Sequence, residues 1–173
     1  GGSNYQDQYK ALYDIAENYS HYCIDSSLVY FNRAVQVAAD ADDELLRIYA
    51  QIRLSTMLTI GGFYMEAAEI LNSVPREALL ASHLAPYYNA CMTLYREAYA
   101  SSYEPDNFRR DYQDKYEEYR DSLLHVADTM SLYYLRNMER KLAKEGNYEE
   151  ARRYNAIRVA NMPDRQSYAY ATC

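Results

Sequence analysis

Apolar side chains recur every three or four residues along most of this chain. Tyr9, Leu12, Tyr13, Ala16 and Tyr19 keep that step, as do Leu28, Phe31, Val35 and Ala38, and the step lines up a single face of an α-helix. Asp25 and Ser26 lie between the two runs and offer side-chain oxygens that cap a helix start, so a helical hairpin is predicted. A second hairpin is predicted over 43–60 and 64–73. Gly61-Gly62 supplies its turn, because glycine accepts the positive φ at which helices end. Pro75 supplies its stop, because proline brings no N–H and cannot continue a helix.

A short helical stretch is expected at 77–82. A third pair follows over 86–102 and 107–126, its second member the longest helix in the chain, with Glu104-Pro105-Asp106 at the break. The fourth pair covers 131–144 and 148–161, turning at Gly146-Asn147 and stopping at Met162-Pro163. Residues 165–173 read as the start of another first helix, so the chain is expected to end inside a larger protein. Gly1-Gly2-Ser3 opens without methionine, and residues 1–4 are expected to be a scar or disordered. No window alternates apolar and polar positions between turn signals as a strand would, and no sheet is expected.

Two of the pairs share a frame. In GGFYMEAAEIL and EGNYEEARRYN, Gly62 and Gly146 stand in the turn, Tyr64 and Tyr148 two residues on, Glu66 and Glu150 two more, and Ala67 and Ala151 next. The last position must be small because paired helices come closest there, and the tyrosine covers the turn. This is the second-helix signature of a tetratricopeptide repeat. In that pattern a proline follows the small residue by about twelve positions. Pro163 meets this and Pro75, eight after Ala67, does not, so the repeats are degenerate. A weaker phrase, Asp25-Ser26-Ser27-Leu28 and Asp121-Ser122-Leu123-Leu124, signals a helix start in the first pair and is accidental in the third if it falls mid-helix. The predicted fold is all-α: a single domain over 1–173, a tetratricopeptide-like α-α superhelix, or right-handed solenoid, of about four helical hairpins.

Charge narrows the partners. With 25 acidic against 18 basic residues the net charge is −7, which repels a phosphate backbone unless the basic residues gather on one face. They are scattered along the sequence, so nucleic acid is not an expected partner. No apolar run reaches the ~20 residues of a membrane helix, which leaves membrane attachment to flanking segments. The 22 tyrosines stand against three phenylalanines and no tryptophan. A tyrosine ring packs like phenylalanine while its hydroxyl seeks a partner, which suits half-buried helix faces in a thin, surface-rich structure. Cys23, Cys91 and Cys173 show no metal-site or disulfide-framework spacing. They read as inert buried thiols, with a Cys23–Cys91 bridge as the alternative.

Catalytic and metal chemistries lack their residues. Glu17 with His21 and Asp121 with His125 are spaced i,i+4, so each pair shares a helix face and could give two ligands to a metal between helices. A solvated local pair is the plainer reading. A carboxylate-bridged di-metal bundle needs Glu three residues before His, and His21, His83 and His125 all lack one. Neither His-Glu-x-x-His nor Gly-x-Ser-x-Gly occurs, Cys23 and His21 would point apart on a helix, and Gly61-Gly62 lacks the Lys-Ser of a phosphate loop. The run 109–120 mixes charges with Tyr112, Tyr116 and Tyr119 and reads as an amphipathic helix with a solvated face. No cofactor, no metal and no enzymatic activity are expected.

Stacked helix pairs generate a concave face lined by the first helix of each pair. Counting back from Ala67 puts Tyr49, Ile52 and Thr56 on that face, and the same count from Ala151 puts Tyr133, Arg136 and Arg140 there. Tyr and Arg are enriched where interfaces hold their energy, so these are the candidate partner-binding residues.

The order of phrases YCIDSSLVYFNRAVQVA, LTIGGFYMEAAEIL, PYYNACMTLYREAY and YRDSLL resembles the tetratricopeptide-like sensor region of Bacteroidetes-type membrane-bound transcriptional regulators, over nearly the whole chain. The resemblance implies an exported, periplasmic helical-repeat region followed by a transmembrane helix, a cytoplasmic coiled coil and a regulatory, often DNA-binding, tail. It implies a module that senses a ligand or binds a peptide or protein, self-association included, without touching nucleic acid itself. The alternatives are a carbohydrate-binding helical-repeat lipoprotein of an outer-membrane uptake system, and a metal-binding helical protein using Glu17, His21, Asp121 and His125.

Overall fold

A computed structural model of the chain describes residues 3–103 and 105–162. Among the described residues all regular structure is helical, in eight α-helices that follow the predicted pairs. α1 (Ser3–Tyr19) and α2 (Ile24–Asp40) form the first hairpin, and α3 (Glu44–Ile60) and α4 (Tyr64–Ser73) the second. α5 (Ala81–Ser101) and α6 (Asp106–Val126) form the third, and α7 (Leu132–Lys144) and α8 (Tyr148–Ala160) the fourth. Each helix packs against the next along the chain, and α3 also packs on α5, first helix on first helix. That last contact turns separate hairpins into a stack.

Turn chemistry places the helix ends. Gly62 has φ 85° and Gly146 φ 80°, a region where a side chain strains the backbone. Between α2 and α3 the left-handed position falls to Asp42, φ 54°, an acidic residue that enters this region more readily than most. Asp43 caps α3 by accepting from the Leu46 N–H, Ser131 caps α7 from the Tyr134 N–H, and Asn147 caps α8 from the Glu150 N–H.

Two helix starts depart from the sequence expectation. α2 begins at Ile24 with Cys23 at its N-cap, so Asp25 lies within the first turn, where its charge meets the helix dipole, and caps nothing. α5 begins at Ala81 instead of 86, and at 21 residues it equals α6 in length. The cause is His83, whose Nδ1 accepts from the Leu80 N–H at 3.0 Å. That bond ties down a first turn ahead of Pro86, which then falls inside a helix already begun. The stretch expected at 77–82 shrinks to a 3-10 turn, Arg76–Ala78. Ser3 and Asn4, within the segment read as a scar, open α1. Gly1, Gly2, Glu104, Pro163, the 165–173 segment and Cys173 lie outside the described residues.

Three hairpins close where a side chain is small. The fourth residue after the N-cap is Ser27 in α2, Ala67 in α4 and Ala151 in α8, exposed by 0%, 0% and 6%. Ser27 holds the place of the two alanines, which its reading as part of a cap phrase missed. Its Oγ donates to the Ala16 carbonyl of α1 at 2.9 Å, so a side chain of one helix reaches the backbone of the other. In the third pair the same position is Arg109, whose guanidinium lies 4.6 Å from the centre of the Tyr99 ring. Asp121-Ser122 sits in the middle of α6 and starts no helix.

The core runs between the pairs. Ile48, Ile52, Ala67, Leu71, Val74, Tyr87 and Cys91 belong to one cluster spanning α3 to α5, and Ala16, Phe31, Leu54 and Met57 join the first pair to the second. Tyrosine does here what phenylalanine could not. Tyr9 donates to the Leu46 carbonyl at 2.9 Å and Tyr87 to the Leu71 carbonyl at 3.2 Å, so each hydroxyl finds its partner on a neighbouring helix. Tyr95 and Tyr119 stack at 5.7 Å between α5 and α6. Cys23 and Cys91 are both free, so the alternative of a bridge between them does not hold. Cys23 is only half-buried, while burial pushes the Cys91 thiol up to about 12 and keeps it protonated.

Candidate functional site

The concave face is closed along α3 and open beyond α5. Ile52 is 3% exposed and packs in the core that α3 shares with α5, so the expectation of a groove position there is corrected: no partner can reach it. Tyr49 is half-buried, its ring edge-on to His83 at 4.3 Å. Thr56, also half-buried, turns its hydroxyl to the Ile52 carbonyl at 3.1 Å.

The connector between α6 and α7, residues 127–131, is longer than the turns at 61–63 and 145–147. Between α5 and α7 lies a hollow of about 490 Å³. Its α5 wall is Asn89, Met92, Thr93 and Arg96, one helix face at three- and four-residue steps. Its α7 wall carries Tyr133, Arg136, Asn137 and Arg140. The structure brings Tyr133, Arg136 and Arg140 together and leaves Tyr49, Ile52 and Thr56 out.

The hollow opposes the charge of the chain. Three guanidinium groups and no carboxylate line it, in a protein of net charge −7. Arg96 shares its charge with Glu97 at 2.9 Å, while Arg136 and Arg140 are exposed and make no ion pair with another described residue. Asn137 is 1% exposed. Its Nδ2 donates to the Tyr133 carbonyl at 2.8 Å, and its Oδ1 meets no donor. The first turn of α7 reaches the same space through Ser131 and Leu132, where the Ser131 hydroxyl accepts from the Tyr134 N–H.

At Arg53 burial works against the charge, but the bond to the Glu17 carboxylate holds the guanidinium above its ordinary value, and Tyr133 adds the smallest share there and at Tyr13. Burial is the main cause at Tyr13, pushed up to about 12, with Glu17 contributing next. Glu17 grips Arg53 with both oxygens, at 2.5 and 2.8 Å, which neutralises that arginine and draws the carboxylate away from the exposed His21. Asp121 likewise pairs with Arg120 and Lys141 at 3.1 and 3.2 Å and leaves His125 exposed. Among the described residues no three His, Cys, Asp or Glu side chains gather as a metal site requires, and no helix is long and apolar enough to cross a membrane.

Arg96 and Asn137 escaped the sequence reading. Arg96 lies in the pair that lacks the Gly-x-Tyr-x-Glu-Ala phrase, so no register count reached it. Asn137 had a signal: it stands four residues after Tyr133 and three before Arg140, the spacing of a shared helix face.

Stacked antiparallel hairpins, glycine turns and small residues at the crossings define a helical repeat of the tetratricopeptide type. That class is generally non-catalytic and generally mediates protein interactions. The chain belongs to the SusR N-terminal TPR domain family, whose model matches residues 2–173. No curated protein and no solved structure matches it.

Proposed function

We propose that this domain is the partner- or ligand-sensing region of a signal-transducing transcriptional regulator, exported to the periplasm, with the hollow between α5 and α7 as its docking site. The observation that carries the reading is the convergence of Tyr133, Arg136 and Arg140 on an open hollow in a SusR-type repeat module. Rigid aromatic rings and forked guanidinium groups are the side chains that concentrate binding energy at interfaces. Core packing fills the face along α3, so a peptide, a protein segment, a second copy or a small ligand enters beside the fourth pair. The family match favours the regulator over an uptake lipoprotein.

Crosslinking of the full-length protein, flanking segments included, tests this. A partner or second copy is expected to be captured through α7, and Tyr133→Ala with Arg136→Ala is expected to reduce capture by at least about tenfold. Capture of neither, together with no stabilisation by any ligand tried, would overturn the reading.

A further inference from the structure

We infer that the hollow between α5 and α7 recognises a small oxyanion that carries a hydroxyl or N–H donor beside its charge. The inference deepens the sensing function proposed above and rests on it.

The charge comes first. Arg96, Arg136 and Arg140 line one space with no carboxylate among them, and Glu97 meets only the first of the three. Like charges on facing helices repel, and an anion between them removes that repulsion. The guanidinium fork fits the planar edge of a carboxylate or two oxygens of a phosphate. The start of α7, through Ser131 and Leu132, adds the positive end of its dipole to the same wall. A cation is excluded by the same inventory.

Asn137 supplies an independent demand. Its amide is fixed by the bond from Nδ2 to the Tyr133 carbonyl, so the free atom is the acceptor, Oδ1, and it is buried. A buried acceptor without a donor is costly, and none of the three arginines reaches it. A bare anion cannot satisfy Oδ1. A molecule with a hydroxyl or N–H next to its charged group satisfies both demands at once. The volume, about 490 Å³, lies within the roughly 300–1,000 Å³ of small-molecule sites, and Met92 and Tyr133 offer apolar surface for the remainder of the ligand.

The test is calorimetry and thermal denaturation of the whole chain with four probes. D-glucuronate and D-glucose 6-phosphate carry both charge and donors, D-glucose lacks the charge, and adipate lacks the donors. One or both of the first two are expected to bind and raise the Tm, with affinity falling as salt rises. Adipate is expected to bind more weakly, and glucose not at all. Arg136→Gln with Arg140→Gln, which removes the like charges facing Arg96, is expected to leave the ligand-free Tm no lower and to weaken binding at least about tenfold.

Binding of glucose as tight as that of glucuronate, failure of both charged sugars at millimolar concentration, or full binding by the double variant overturns the inference. If crosslinking still captures a partner through α7 in any of those cases, the anion specificity fails and the sensing function stands.

Discussion

Tyr49, Ile52 and Thr56 on α3 hold the same register as Tyr133, Arg136 and Arg140 on α7, counted back from Gly62 and Gly146. Their surroundings are opposite. Ile52 is sealed at 3% exposure beneath α5 and Tyr49 rests on His83, whereas Arg136 and Arg140 are exposed and Tyr133 is 43% exposed. Repeat register states which way a side chain points. It does not state whether another helix lies in that direction. α5 packs directly on α3, while α7 makes no comparable contact with α5 and a hollow lies between them. The three buried clusters also draw their buried members from α1 to α5, and the fourth pair buries little beyond Leu135, Asn137 and Ala151.

Exchanging the two registers separates the closed face from the open one most strongly. Ile52→Arg places an unpaired charge in a sealed core and is expected to cost about 3–5 kcal/mol in urea denaturation; a loss as small as that of a surface change would show that α5 does not cover the site. The crossings come next. Ala67→Leu overpacks a fully buried contact and is expected to cost about 1–3 kcal/mol, and Ala151→Leu, in the lightly packed fourth pair, less. Equal losses would mean that both pairs are packed alike.

The two glycine turns form the control, since their strain is local. Gly62→Ala and Gly146→Ala are each expected to cost about 1–2 kcal/mol, because the backbone is left-handed while an added Cβ would meet no atom within 4 Å. A much larger loss at Gly62 than at Gly146 would tie that turn to the packed body.

His83 adds a pH dependence to the closed region. Burial holds it below its ordinary 6.5, so the folded state keeps the neutral ring that accepts from Leu80 while the unfolded chain takes up the proton first. Its contribution is full above pH 6.5 and is expected to decline as pH falls below that value toward the folded pKa. His83→Gln, which keeps an acceptor and removes the titration, is expected to flatten the slope of stability between pH 7.5 and pH 5.5. The smallest effect is at the open register: Arg136→Ile is expected to change stability by no more than about 0.5 kcal/mol.

Much of the fold was legible residue by residue. Tyr64 and Ser73 bound α4 where spacing and Pro75 predict, and the small-residue rule singles out Ala67 and Ala151, both buried. The misses share a cause. Ser27 acts as the third small residue, but the turn before it contains no glycine to reveal the frame. α5 starts early because a histidine side chain caps it, and His83 is not among the residues that ordinarily signal a helix start. Of the candidate site, the α7 half could be read and the α5 half could not, since α5 shares no phrase with the other first helices.

Spacing and turn chemistry act within a few residues, which is why helix number, hairpin pairing and the apolar face of each helix could be taken from the order of amino acids alone. Burial of a given face depends on how far one hairpin stands from the next, and that distance is set by side chains far apart in the chain that meet only when the hairpins stack. Ile52 became core and Arg136 became the wall of a hollow through that non-local geometry. Only the folded arrangement could decide between them.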